Sequence, residues 1–349
     1  FVMPLSAAAA PLANPGESIA TPGLWALTIG VVIALLALDF ALTRRPHAVS
    51  MREAGLWSAF YIALPLLFGV WVLTAHGGEI GLQYYTGYLV EKSLSVDNLF
   101  LFMLIIASFA VPAELQQRVL LIGIVGALEL RGVFIALGAQ LIANFAWTFL
   151  LFGAVLIVTA AKLWRDARAG VHEVDVDRMR VVRLIRRVVP VSERYHGTRL
   201  TVPHGAGRAI TPFALTALAL LVTDLVFAID SVPAVYGITG DPYLVFATNA
   251  FALLGLRALY FVLQDVLQRL VHLPYGMAAI LGFIGTKLVL HWAHGEWSAV
   301  PEIPTLWSLG VIVAILATVT VTSLRATRSG GPRSAGGGQV GSDAPQHVG

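Results

Sequence analysis

Two stretches, EKSLSVDNLF (residues 91–100) and TDLVFAIDSVPAVYGITGD (residues 223–241), set ionisable side chains inside otherwise apolar runs. The first holds Glu91, Asp97 and Asn98; the second holds Asp224, Asp230 and Ser231. An ionised group at the centre of a bilayer costs roughly 3 kcal/mol on insertion scales, so such residues line a protein interior or a polar path. In both stretches the second acid lies six residues after the first and precedes Asn98 or Ser231. On a regular helix the seven-residue steps Glu91–Asn98 and Asp224–Ser231 return to nearly the same face. The six-residue steps place the two acids about 120° apart. Either each pair of acids faces neighbouring sides of a polar seam, or the helix opens locally. Pro233 favours an opening in the second stretch, because proline frees a carbonyl that an ion can use.

Acids within or beside apolar runs include Glu53, Glu91, Asp97, Glu129, Asp224 and Asp230, and they outnumber the bases available in those runs. Carboxylates in surplus, with Asn98 and Ser231 beside them, suit a divalent cation that seeks hard oxygen ligands. The competing reading pairs acids with Arg131 and Arg257 as locks of the bundle. With no cysteine in 349 residues, disulfides, thiolate chemistry and cysteine-ligated metals are excluded for this sequence.

These residues need elements to hold them. Hydrophobic residues make up 57% of the sequence and charged ones 12%, against about 25% charge in soluble domains, so the class is a membrane protein. A spanning helix takes about 20 apolar residues. Nine segments qualify, at about 24–42, 54–74, 84–111, 119–142, 145–163, 210–236, 243–268, 275–294 and 305–324. Long, even apolar runs specify helices rather than the alternating strands of a barrel. The expected fold is an all-α, polytopic transmembrane helix bundle of about nine spans. Arginines follow spans one, three, five, seven and nine, whereas the alternate loops contain no Lys or Arg. The positive-inside rule then sets the N-terminus outside a cell membrane and the C-terminus in the cytoplasm.

The polar residues recur in order: Glu91 and Asp97, Arg131, Lys162; then Asp224 and Asp230, Arg257, Lys287. Spans three to five thus read as a copy of spans six to eight, inverted by the odd count, which is the arrangement that builds a midplane site in transporters. The organisation expected is an outer N-terminal segment at 1–23, spans one to five at 24–163, a basic cytoplasmic loop at 164–209, spans six to nine at 210–324, and a disordered Gly/Ser/Pro-rich tail at 325–349. The first twenty residues have no basic start and do not read as a cleaved signal peptide. Within the basic loop, residues 178–187 (RMRVVRLIRR) fit an interfacial helix against anionic lipid headgroups, and topology accounts for the arginines without nucleic acid.

EKSLSVDNLF together with TDLVFAIDSVPAVYGITGDPYLVFATNAFALLGLRALYF resembles the TerC family of integral membrane proteins, over about Glu53 to Leu290. The resemblance implies manganese homeostasis, usually as Mn²⁺ efflux, on an architecture similar to LysE-type transporters. By position it places the family's acidic signature on Glu53, Glu91, Asp97, Asp224 and Asp230, with Asn98 and Ser231 beside it, and it also covers Arg257 and Lys287. The sequence departs at Leu221, where many relatives carry a glutamate, while Glu129 adds a carboxylate in span four.

The expectation is therefore a non-enzymatic secondary transporter whose substrate is Mn²⁺, exchanged for protons, with no organic cofactor. The alternative is an accessory protein for membrane-protein insertion, docking through the 164–209 loop to a partner the sequence does not identify. No nucleotide-binding loop occurs, and HWAHGE, with His291, His294 and Glu296, lacks the HExxH pattern of a metalloprotease.

Overall fold

In hydrocarbon every backbone amide must find its partner within the protein, and a helix does this from its own residues. The computed structural model describes residues 18–42, 51–169, 190–192, 194–204, 207–267, 272–297 and 300–329. The chain is an all-α polytopic membrane bundle. Its helices are α1 (Pro22–Leu42), α2 (Met51–His76), α3 (Gly78–Ser108), α4 (Ala113–Asn144), α5 (Thr148–Arg168), α6 (Pro212–Tyr236), α7 (Pro242–Leu254), α8 (Leu256–Leu267), α9 (Leu273–Glu296) and α10 (Thr305–Ser329). Among the described residues, eight helical stretches are long and apolar enough to cross a bilayer; α7 and α8 count together as one of them. The helix outside that set is α3, whose 31 residues are length enough but whose middle carries the first acidic stretch.

The expected span at 243–268 is two helices, divided at Gly255. The reason lies in what surrounds the break. A Cβ on Gly255 would stand 3.0 Å from Tyr61 Cβ and 3.2 Å from Lys92 Nζ. Lys92 donates to the Ala252 carbonyl at 3.3 Å, placing its ammonium at the negative end of α7. At its other end α7 is capped by Asp241, whose Oδ1 accepts from Tyr243 N at 2.8 Å while Oδ2 accepts from Ile19 N at 2.8 Å.

The 164–209 region also departs from a simple loop. Helix α5 continues to Arg168, and Thr201–His204 pairs antiparallel with Gly207–Ile210 as a two-stranded hairpin. Tyr195 ties this region to the bundle by donating to the Phe109 carbonyl, at the end of α3, at 2.7 Å. Thr211 then caps α6, accepting from Ala214 N at 3.2 Å. The expected interfacial helix at 178–187 lies outside the described residues, as do 1–17 of the N-terminal segment and 330–349 of the tail.

Two apolar clusters hold the helices. One joins α3, α4, α5, α6 and α9 through residues such as Leu99, Phe102, Leu120, Leu156, Leu220 and Ile284. The other joins α1, α2, α3 and α7 through Tyr61, Tyr84, Tyr243 and Phe251. Helices α5 and α9 cross closely, because a Cβ on Gly153 would lie 2.8 Å from the Gly285 carbonyl oxygen and one on Gly285 2.9 Å from that of Gly153. Helix α4 packs on α6, and α3 packs on α7.

Candidate functional site

The site begins with glycine. On α4, Gly123 and Gly126 meet α6 so closely that an added Cβ would lie 3.3 Å from Leu220 Cβ and 2.6 Å from Leu221 Cδ1. That approach brings Arg131, farther along α4, against Asp224 on α6. Arg131 is wholly buried and every one of its N–H groups is used. Nε and Nη2 donate to the two carboxylate oxygens of Asp224, each at 3.1 Å. Nη1 donates to Glu91 Oε1 on α3 and, at 2.9 Å, to Asn249 Oδ1 on α7. With its amide oxygen turned toward the guanidinium, Asn98 accepts from Nη2 at 3.2 Å and donates to the Leu94 carbonyl at 3.1 Å.

Charge does not balance here. With both acids ionised, Glu91 and Asp224 supply two negative charges against one guanidinium. Glu91 Oε2 is buried with no hydrogen-bond partner among the described residues. A buried ion pair is held by the cost of uncovering either partner, which explains why Arg131 is so thoroughly surrounded.

A cavity of about 260 Å³ adjoins this cluster among α3, α5, α6 and α9. Asn98, Asp230 and Ser231 line it, with Thr159, Lys162 and Asp166 on the α5 side. Asn98 therefore belongs both to the arginine cluster and to the cavity wall. Ser231 is 1% exposed, and its Oγ has no partner among the described residues. Asp230 is close enough to Arg131 and Glu91 to feel both charges.

Both acidic helices stay unbroken through their acids, Pro233 included, so the polar seam is realised rather than the local opening. The seven-residue step holds on α3, where Glu91 and Asn98 both meet Arg131. The six-residue step separates roles on α6: Asp224 faces the arginine and Asp230 faces the cavity. Asp97 lies on α3, but its side chain is outside the described residues. Two expected site residues stand apart. Glu53 occupies the first turn of α2 and neither touches Arg131 nor lines the cavity; an acid there complements the helix dipole. Glu129 is exposed on the outward stripe of α4, with Ile122, Val133 and Leu137, because it is two residues from Arg131 and so on a different face. Among the described residues no three His, Asp or Glu side chains gather as metal ligands.

Asn249 and Lys92 were missed as candidate site residues. Each is a polar residue within an apolar run, the same signal that singles out Glu91. Arg257, which the expected repeat would match to Arg131, has different partners: Nη1 donates to Gln117 at 2.9 Å and Nη2 to Asp39 at 2.8 Å, joining α8 to α4 and α1. At the far end of α9, His291 Nδ1 lies 2.6 Å from Glu302 and His294 Nδ1 lies 2.5 Å from the Val300 carbonyl oxygen, so both histidines bind the following loop.

A family model described as "Integral membrane protein TerC family" matches residues 76–330. An uncharacterized membrane protein of Mycobacterium tuberculosis is 42% identical over 318 residues, covering 87% of this chain and 80% of the relative. A membrane protein of Myxococcus xanthus, also uncharacterized, is 38% identical over 312 residues, 89% of this chain and 95% of its own. A protein of Escherichia coli (strain K12) named "Putative membrane-bound redox modulator Alx" is 38% identical over 311 residues, 86% of this chain and 94% of its own. No solved structure matches the chain.

Proposed function

The chain belongs to the TerC family of integral membrane proteins, and on that premise we propose that it is a secondary transporter exporting Mn²⁺ in exchange for protons. The observation that carries the reading is the surplus carboxylate: two buried acids share one guanidinium, and Asp230 faces an adjoining cavity with Asn98 and Ser231. Carboxylate, amide and hydroxyl oxygens are the ligands a borderline-hard divalent ion takes. Asp230, Asn98 and Ser231 supply them at the cavity, and Glu91 and Asp224 extend the same polar seam inward; Asp97 precedes Asn98 in the sequence and is a further candidate ligand. The carboxylates that release the metal take up the protons. In this reading the positive-inside rule supports an outer N-terminus and a cytoplasmic C-terminus, and export runs from the arginine-rich side.

The name of the Escherichia coli relative speaks of redox. This sequence has no cysteine for a thiol relay, and its buried polar groups are suited to ion and proton binding. The test is flux. Purified protein in sealed proteoliposomes should move Mn²⁺ in the direction opposite to proton flow when a proton gradient is imposed, and move protons opposite to Mn²⁺ when Mn²⁺ is the driving gradient. Folded protein that moves neither would refute transport and leave the accessory role.

A further inference from the structure

We propose that Arg131 is a tethered substitute for the transported cation, seated on Glu91 and Asp224 when the metal is absent and displaced when it arrives. This rests on the transport reading and adds what the empty carrier does. Both Asp224 oxygens and one Glu91 oxygen are occupied by the guanidinium. A metal ion needs the same lone pairs, so the two cations compete for one set of atoms.

Electrostatics gives the substitution a purpose. Without Arg131 or metal, Glu91 and Asp224 would face each other in a fully buried place, and an unpaired buried charge is strongly destabilising. The arginine covers them and lets the empty carrier exist. It does so incompletely: Glu91 Oε2 has no partner among the described residues, and one carboxylate remains in excess. That residual charge favours the approach of a second cation. Asn98 marks the way in, since its side chain holds Arg131 and also lines the cavity shared by Asp230 and Ser231. A metal entering there meets Asp230 first and the arginine-held acids second.

The competition has a measurable consequence. A site open for only a fraction of the time binds more weakly by that fraction. Arg131→Gln removes the competitor. Arg131→Lys weakens it, because a single ammonium cannot span the Asp224 fork and reach Glu91 as a guanidinium does. Titration of the purified full chain with MnCl₂, read by the electron paramagnetic resonance of free Mn²⁺, should show both variants binding on the order of tenfold tighter than wild type. They should also release Mn²⁺ more slowly from vesicles. Folded variants that bind equally or more weakly would overturn the proposal.

Should neither variant fold, wild-type protein supplies the test. Mn²⁺ should speed modification of Arg131 by phenylglyoxal, located by peptide mass spectrometry, because displacement frees the guanidinium. An unchanged rate would overturn the proposal. Wild-type flux is measured in parallel. Flux without tightening or exposure refutes the substitute cation alone; a wild type that neither binds nor moves Mn²⁺ refutes transport, and the proposal with it.

Discussion

Asp224 accepts the Arg131 guanidinium on both of its oxygens, whereas Glu91 accepts it on one, and its other oxygen has no partner among the described residues. That asymmetry ranks the three side chains. Glu91→Gln keeps one full acid–base pair and should lower stability by about 1 kcal/mol, the scale of one hydrogen bond. Asp224→Asn removes the fork and should cost more. Arg131→Ala leaves two buried acids unpaired and should cost about 3–5 kcal/mol. Thermal unfolding in detergent gives the order, and Arg131→Ala as mild as Glu91→Gln would contradict this account of the cluster.

Asp230 separates transport from stability. It lines the cavity and has no salt-bridge partner among the described residues. Asp230→Asn should therefore fold with a melting temperature within about 1.5 °C of wild type, roughly 1 kcal/mol for a chain of 349 residues. Its Mn²⁺ flux should fall by at least about tenfold, the effect of losing roughly 1.4 kcal/mol of ion binding. Normal flux in the folded variant would remove Asp230 from the path.

Two kinds of glycine contact should respond differently. Gly126→Ala presses on the tip of Leu221, and a second change, Leu221→Ala, should relieve it. Gly153→Ala and Gly285→Ala press on each other's backbone carbonyl across α5 and α9. Each should lose about 1–3 kcal/mol, the usual cost of overpacking, with no side-chain truncation restoring it. Unfolding of the single and double variants distinguishes the two cases.

Orientation can be read with single cysteines, since the sequence contains none to remove. Gly295 and Arg199 are both exposed, and a Cβ at Gly295 meets nothing within 4 Å. In intact cells an impermeant maleimide should label Gly295→Cys at once and Arg199→Cys only after permeabilisation. The reverse pattern would invert the topology.

How much of this could be read beforehand depends on what each feature rests on. The spans follow from long apolar runs, and the shared face of Glu91 and Asn98 follows from helical pitch. Both are properties of one segment alone. Arg131 and Arg257 could be named as partners for buried acids, but the simultaneous contact of Arg131 with α3, α6 and α7 depends on how close α4 comes to α6. Glycines set that distance through contacts with residues far along the chain. Glu129 illustrates the same gap. In a helix with apolar residues on every side, sequence does not say which face meets lipid, so an outward carboxylate and an inward one read alike. The break at Gly255 is also a tertiary matter, arising from Tyr61 and Lys92 on other helices. The 201–210 hairpin is too short to leave a periodic signature.

Glu91 and Lys92 are neighbours on α3 that answer to opposite sides of the bundle, the acid to Arg131 and the ammonium to the Ala252 carbonyl at the end of α7. This fixes the azimuth of α3. Turning the helix about its axis by one residue, about 100°, would bring the Lys92 charge round toward the guanidinium and carry the carboxylate away from it. Like charges would then meet in a buried place, while the carbonyl end of α7 lost its cation. Axial rotation of α3 is thereby disfavoured in either sense, and tilt or sliding along its length is the freedom left to the helix during a working cycle.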